Sequence, residues 1–306
     1  MQLRFLFNQS HPGVELVDDA DGAALNLRLT NQLVSGPGIE HWPLPGAGQA
    51  QRHDDFLTWR NAEAIAGAAC VPVDDENLES VTYRLYTQML ALSKGYVLHR
   101  FWNFVPHINA SVGELDRYMC FCVGRANALA DHEIPLVGRK LPPASAVGTS
   151  GNHLCVAFLA GSNALSPVEN PLQVPAYEYP QRYGPRSPSF ARAGLISNDP
   201  PALMISGTAS IRGSESLHVG DFERQAQTAL ENLLAVSEAA GHADWLSARR
   251  DHHTCVRVYI RTAHLWQTHA TWLEQNLLEG IEQFNVIQAD ICRSELLVEI
   301  EACTAR

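Results

Sequence analysis

Glu299 and Glu301 stand at alternate positions of the stretch LLVEIEA (296–302). In an extended strand alternate side chains share one face, so the two carboxyl groups lie side by side. Such a pair is either the solvated face of a half-exposed antiparallel strand, which is the ordinary pattern, or a pair of acids held against something. The pattern alone leaves both open. The positive charge is almost wholly arginine: only Lys94 and Lys140 among the 22 basic residues are lysine. Arginine's planar fork suits two-pronged capture of carboxylates, although a codon bias gives the same count. Arg182, Arg186 and Arg192 sit in RYGPRSPSFARAG (182–194), a loop stiffened by glycine and two prolines. Arg257 and Arg261 share a strand face with Tyr259 in TCVRVYIR (254–261), where an exposed face with snorkelling stems is the plainer reading.

The chain that must position these groups has 306 residues, with 33 acidic against 22 basic side chains and a net charge of −11. That length suits about two average domains. Hydrophobic residues at 46% and charged residues at 18% supply real cores and exclude a disordered chain. The acidic balance argues against nucleic acid or an anionic membrane as partner, since both need a basic face. The start, MQLRFLFNQSHPG, has no apolar run of signal-peptide length, and no stretch approaches a membrane span, so a cytoplasmic location is expected. Cys70, Cys120, Cys122, Cys155, Cys255, Cys292 and Cys303 are odd in number and read as buried small residues rather than a disulfide framework. Cys120-x-Cys122 lacks a second pair, no HExxH occurs, and Asp251-His252-His253 reads as a polar turn, so no metal is expected. No cofactor is expected either.

One order of elements occurs twice. A helix at about 78–94, with Val81, Leu85, Met89 and Leu92 on one face, stops at Gly95. It is followed by a strand (96–105), a helix (113–130) and a strand (154–161). A second helix at 221–240, capped by Asp221 and carrying Phe222, Ala226, Leu230, Leu233 and Leu234, stops at Gly241. It is followed by the strand 254–261, a helix at about 263–279 with Trp266, Ala270, Leu273 and Leu277 on one face, and the strand 296–302. The segments IAGAACV (65–71) and ISGTASI (205–211) are offset by 140, the stopping glycines by 146, and the closing strands by 142. Shared offsets mean duplicated α+β units, each a mixed sheet with helices on one face. The expected layout is an N-terminal β-rich segment, possibly an abbreviated copy, over 1–45, a central domain over 46–170 and a C-terminal domain over 171–306. Within it ALSPVENPLQVPAYEYPQ (164–181), with four prolines, reads as a linker or extended arm. The copies differ where Glu299 and Glu301 stand: at the 142 offset the first has Ala157 and Leu159.

The stretch YGPRSPSFARAGL…ALMISGTASI, followed by FERQAQTALENLLAVSEAAG, VRVYIR and LLVEIEA, resembles the reactive-intermediate-deaminase (RidA, YjgF) family. The tandem arrangement, with RYMCFCVGRANAL (117–129), resembles more closely the chorismatases, over roughly residues 55–306. These are chorismate-cleaving enzymes with fused RidA-like domains in approximate threefold arrangement. The resemblance implies cleavage of chorismate, a dianion with an enolpyruvyl ether, begun by protonating the ether's methylene carbon. A carboxylic acid does this at neutral pH if desolvation raises its pKa. The resemblance places that acid at Glu299, with Glu301 as fallback. It places Arg186 in the cleft, beside Tyr183, as the first choice for a substrate carboxylate, with Arg257 and Arg261 weaker. Gly207 would let the ligand approach the backbone. The first copy should contribute the loop PASAVGTSG (143–151), including Thr149, and Gln173, Tyr177 and Tyr179 would cover the ring.

Chorismatases differ in product. Cys292, seven residues before Glu299, matches a cysteine associated with hydroxybenzoate formation, either 3-hydroxybenzoate alone or with 4-hydroxybenzoate. Ala209 matches the plain hydrolases that release 3,4-dihydroxycyclohexadiene carboxylate. A RidA-like imine deaminase would hold its substrate with an arginine before the last strand, and FNVIQAD (284–290) has none. A non-catalytic ligand-binding module is the third reading. The resemblance implies a monomer, because fusion replaces subunits.

Overall fold

The structure, a computed structural model, describes residues 1–136, 141–199, 201–242 and 253–305. The chain opens with eight strands: β1 (Gln2–Leu6), β2 (Gly13–Asp19), β3 (Gly22–Arg28), β4 (Leu33–Ser35), β5 (Ile39–Pro43), β6 (Gln49–His53), β7 (Phe56–Arg60) and β8 (Ala64–Pro72). Helix α1 (Leu78–Leu92) and β9 (Val97–Pro106) follow, then a small hairpin of β10 (Ser111–Val112) and β11 (Leu115–Asp116). Next come α2 (Arg117–Asp131), β12 (Ala144–Thr149), β13 (His153–Gly161) and β14 (Leu165–Val168). The last part holds β15 (Ala193–Ile196), β16 (Ala202–Ala209), the hairpin β17 (Ile211–Arg212) and β18 (Glu215–Ser216), and α3 (Phe222–Ala239). It closes with β19 (His253–Ile260), α4 (Ala263–Leu273), β20 (Gln283–Gln288) and β21 (Val298–Ala305).

The duplication is visible in the sheets. One runs β12-β9-β13-β8-β7-β6 and the other β20-β19-β21-β16-β15-β14, with β4 added beyond β20. In both, the last long strand lies between the strand before the first helix and the strand after it. The glutamate strand β21 is therefore the spatial counterpart of β13. A third sheet, β2-β3-β1-β5, is built from the first 43 residues and pairs β1 with β3 in parallel.

Alternation along β21 explains the layering. Val298, Ile300 and Ala302 face α3 and α4, in one core with Leu230, Leu233 and Leu277. Val156 and Phe158 of β13 do the same against α1 and α2. The opposite faces converge on a central core that joins Leu3, Phe5 and Leu27 of the N-terminal sheet to Trp59, Trp102, Phe104 and Tyr259. Helices thus lie outside and sheet faces meet inside, which buries Glu299 and Glu301 rather than leaving them on a solvated face (4% and 5% exposed).

Several expectations need correction. Helix α2 starts at Arg117 rather than 113, because Asp116 caps it by accepting the Met119 N–H at 2.7 Å while 111–116 turn back as a hairpin. Asp221 caps α3 in the same way. Leu234, assigned to the inner stripe, lies on the outer flank at 37% exposure. Helix α4 passes into a π-turn over Glu274–Leu278, which buries both Leu277 and Leu278. The segment 164–181 begins as strand β14 paired to β15 and ends in one-turn 3-10 helices, Ala176–Glu178 and Gln181–Tyr183. Cys70 and Cys155 are joined as a disulfide, because they fall directly opposite each other where β8 pairs with β13. Asp251 and His252 of the expected polar turn lie outside the described residues. Among the described residues no group of three or more His, Cys, Asp or Glu could hold a metal, and no helix is long and apolar enough to cross a membrane.

The two helices of the central unit pack through Gly124. A Cβ there would overlap the Glu79 carbonyl oxygen and lie 2.9 Å from Thr82 Cβ. Gly124→Ala is expected to lose about 1–3 kcal/mol of stability despite alanine's better helix propensity, because rigid backbone has to move. Urea denaturation of the two proteins measures it.

Candidate active site

The site grows from an irregularity in strand pairing. Between β16 and β21 the register runs Ile205 to Ala302 and then Thr208 to Ile300, so β16 carries one extra residue at Ser206–Gly207. A bulge of this kind bends a strand and re-aims what faces it. Here it brings Gly207 against Glu299: a Cβ at Gly207 would overlap Glu299 Oε1 and lie 2.7 Å from its Cδ. Only glycine leaves room for the acid. The Gly207 N–H donates to Ser145 Oγ of β12 at 2.9 Å, which ties the bulge to the central unit.

Ser145 hands the contact on. Its hydroxyl donates to Glu301 Oε2 and accepts from Arg100 Nη2 at 2.5 Å. Arg100 also reaches Glu301 Oε2 at 2.8 Å, while Arg257 Nη1 reaches Oε1 at 2.7 Å. Glu301 is therefore a buried carboxylate held between two guanidinium ions. Glu299, two residues away, has no such arrangement. Burial, then repulsion from Glu301, pushes its pKa up to about 8, with Arg100 and Arg192 opposing. Two glutamates on one strand face thus divide into an ion-paired carboxylate and an acid that keeps its proton at neutral pH.

Glu299 opens into a cavity of about 240 Å³ between the two repeated units. Its walls include Tyr118, Met119 and Arg125 of α2, Ser145 of β12, Gly207 and Ala209 of β16, and Cys292 and Arg293. Tyr179, Tyr183, Phe190 and Arg192 of the segment before β15 close it. Three arginines line it, and none has an ion pair among the described residues. Arg125 is 1% exposed, stacks on Phe121 at 5.1 Å, and leaves Nε and Nη2 without a partner. Arg192 donates to Tyr179 Oη at 2.7 Å and leaves Nε unpartnered. Arg293 lies 3.7 Å from the Tyr183 ring centroid and leaves Nη2 unpartnered. Buried cations without carboxylates are costly unless a ligand supplies the anion. The Cys292 thiol is pushed up to about 12, chiefly by burial, so it enters the wall as a neutral S–H.

The sequence profile of the family described as chorismatase FkbO/Hyg5-like, N-terminal, matches residues 40–160. A 3-hydroxybenzoate synthase of Streptomyces hygroscopicus is 33% identical over 284 residues, covering 87% of this chain and 81% of that protein. A chorismatase of Streptomyces rapamycinicus is 32% identical over 309 residues, covering 96% of this chain and 90% of the relative. The chain belongs to the chorismatase family. A chorismatase crystal structure superposes with a TM-score of 0.86 at 28% identity, covering 99% of this chain and 92% of that one.

In this chorismatase-family enzyme the cavity gathers Glu299, Cys292, Tyr183, Gly207, Ala209 and Tyr179. It does not gather the rest. Arg186, the first choice for a substrate carboxylate, is exposed and outside the wall. Gly184, at φ +126, turns the chain so that Pro188, Phe190 and Arg192 face inward instead. Arg257 lies behind the site, ion-paired to Glu301 and Glu40. Arg261 pairs with Asp290, and Thr149 meets Thr30, in a separate polar hollow. Gln173 pins the covering segment by donating to the Ile211 carbonyl at 3.0 Å. Tyr177 packs near Leu90 and Leu141.

Sequence reading singled out none of Tyr118, Arg125 and Arg293, and took Ser145 only as part of the loop 143–151. Arg125 had a signal: Tyr118, Cys122, Arg125 and Leu129 form one i, i+4, i+7, i+11 stripe, and an arginine on an apolar stripe needs a reason.

The raised acid has a consequence for stability. The folded carboxyl holds its proton to about pH 8, whereas the unfolded one releases it near 4.5. Stability from this group is full below the unfolded value and is lost as pH rises toward the folded one. Glu299→Gln is therefore expected to be more stable than wild type by an amount that grows across this window, on the order of 3 kcal/mol at pH 7. Thermal unfolding of both proteins from pH 5 to 8 measures it, and a pH-independent difference would overturn the assignment.

Proposed function

We propose that this enzyme cleaves chorismate to pyruvate and 3-hydroxybenzoate, with Glu299 delivering the proton to the enolpyruvyl methylene carbon. The observation that carries the reading is a buried, protonated carboxyl in the same cavity as three arginines without ion pairs. Chorismate brings two carboxylates to a cavity whose three arginines have no ion pair among the described residues. Arg125 and Arg192 are the pair assigned to them, with Arg293 beside the second. The relative named as a 3-hydroxybenzoate synthase supports the product.

The steps balance without a cofactor. The methylene carbon takes the Glu299 proton and becomes a methyl group, leaving an oxocarbenium ion at the ether carbon. The bond from the ring carbon to the ether oxygen then breaks, and that oxygen becomes the keto oxygen of pyruvate. For 3-hydroxybenzoate the neighbouring hydroxyl oxygen bonds to the vacated ring carbon, its bond to its original carbon breaks, and the carbon it now occupies loses its hydrogen as a proton, which makes the ring aromatic. That proton replaces the one Glu299 gave. Chorismate has the same atoms as pyruvate plus hydroxybenzoate, so this route consumes no water.

Hydrolysis to 3,4-dihydroxycyclohexadiene carboxylate needs one water instead. The observation that favours it is the small wall residue Ala209, which lines the same cavity. Whether 4-hydroxybenzoate accompanies the 3-isomer follows from whether the one remaining ring oxygen ends on the vacated carbon or stays on its own.

Incubation of the purified protein with chorismate, read by liquid chromatography and a pyruvate assay, tests activity and product together. Pyruvate with 3-hydroxybenzoate is expected, and folded protein that releases no pyruvate would overturn the reading. Glu299→Gln should lower turnover by at least ~10²-fold. Arg125→Met and Arg192→Met should each raise KM by ~30-fold or more, since each leaves a substrate carboxylate unpaired in a buried site. Arg186→Ala should change neither parameter by more than about twofold, as expected of an exposed surface charge.

A further inference from the structure

Behind Glu301 the ion pairs continue into the N-terminal sheet. Arg257 Nε donates to Glu40 Oε2 at 2.9 Å, and its Nη2 lies 2.8 Å from Glu40 Oε1. Glu40 also accepts from Trp42 Nε1 at 2.7 Å. The charges alternate along one buried row, Glu40, Arg257, Glu301 and Arg100, whose exposures are 4%, 1%, 5% and 2%. Two carboxylates and two guanidinium ions cancel over the row, and at Glu299 the charge of Glu301 outweighs that of Arg100.

The geometry points to Glu40 as a positioning residue for catalysis: from the N-terminal sheet it consumes the charge of Arg257 and so keeps the acid of the C-terminal sheet protonated. The inference rests on the role proposed for Glu299. Removing Glu40's charge would leave Arg257 to neutralise Glu301 more completely. Glu299 would then ionise more easily. Removing Arg257 and Glu40 together would do the reverse, because Arg257 touches Glu301 and Glu40 stands one ion further away.

Other groups around both ends must be weighed. Glu299 shares its cavity with Tyr118 and Arg125 of α2, Asp116 at the helix cap, Arg192 before β15, and Cys292, Arg293 and Glu295 before β21. Tyr259 of β19 stands opposite it in register. Cys255 and Cys303 border the hollow beside Glu40 together with Arg100. None of these makes a hydrogen bond or ion pair with Glu40 among the described residues, where its partners are Arg257 and Trp42.

The test is the pH dependence of pyruvate release by the full chain. Activity needs protonated Glu299, so it is present at low pH and falls as pH rises through the acid's pKa. Glu40→Gln should move this falling limb to lower pH by ~0.5–1 unit. Glu40→Asp, which keeps the charge, should restore the wild-type position. Glu40→Gln with Arg257→Met should move the limb upward, and it leaves no unpaired buried charge should the single variant not fold. Opposite signs from the two variants cannot come from loss of packing. An unmoved limb in Glu40→Gln, or in the double variant, would overturn the inference even if kcat falls. A separate readout is the carboxyl infrared band of Glu299, assigned by difference against Glu299→Gln and titrated without substrate. It decides the inference if wild type releases no pyruvate, so that failure of the proposed reaction is distinguished from failure of the relay.

Discussion

The structure depends on a buried ion row that no single domain could hold. Glu40 comes from the N-terminal sheet, Arg100 and Ser145 from the central unit, and Arg257 and Glu301 from the C-terminal unit. Breaking such a row by removing one member leaves an uncompensated charge and costs about 3–5 kcal/mol, whereas hydrophobic substitutes for the whole row could be as stable. Stability alone is therefore a weak reason for its presence. What an apolar core could not supply is a fixed negative charge two residues from Glu299. The row acts as a register pin between three sheets and as the electrostatic environment of an acid.

The duplication shows how the acid was accommodated. The counterpart strand β13 has Ala157 and Leu159 where β21 has Glu299 and Glu301, and both strands are central in equivalent sheets. Ala157 lies in the central core among Trp102 and Phe104. The fold therefore runs with an apolar inner face, and the polar version is tolerated only where arginines and Ser145 converge on it. Gly207 is the other condition, since the bulge and the missing side chain make the space that Glu299 occupies. Acid, bulge and ion row meet on one face of β21.

The fold was legible in the sequence to the extent that its signals are local. Helix stripes, the stops at Gly95 and Gly241 and the cap at Asp221 all depend on residues within a turn or two, and they carried the repeat. Comparing the copies removes what packing alone demands and so singled out Glu299 and Glu301 together; only the family resemblance chose between them. Arg186 misled because a loop side chain's direction is set by distant partners, here the turn at Gly184 and the contact of the covering segment with α2. The pairing of Cys70 with Cys155 needed the register of strands 85 residues apart. The plainer reading of Arg257, an exposed stem, fails because the residue is buried; a strand arginine facing inward can serve substrate or scaffold, and only the position of Glu40 decides.

The net charge of −11 gives the final constraint. A dianion gains nothing from the long-range field of this protein, and at physiological ionic strength that field decays within about 8 Å of the surface. Capture must come from charges that water does not screen. Arg125 and Arg192 meet that condition by burial, and they and the half-buried Arg293 are held by rings and backbone carbonyls rather than carboxylates: Phe121 under Arg125, Tyr179 beside Arg192, and Tyr183 against Arg293. An aromatic face supports a guanidinium ion without neutralising it, so its charge stays available to a ligand. The same enzyme therefore uses arginine in two opposed ways. In the row behind the site the charge is cancelled beside an acid that stays neutral, and in the cavity wall it is left uncancelled, which is what the proposed capture of a dianion requires.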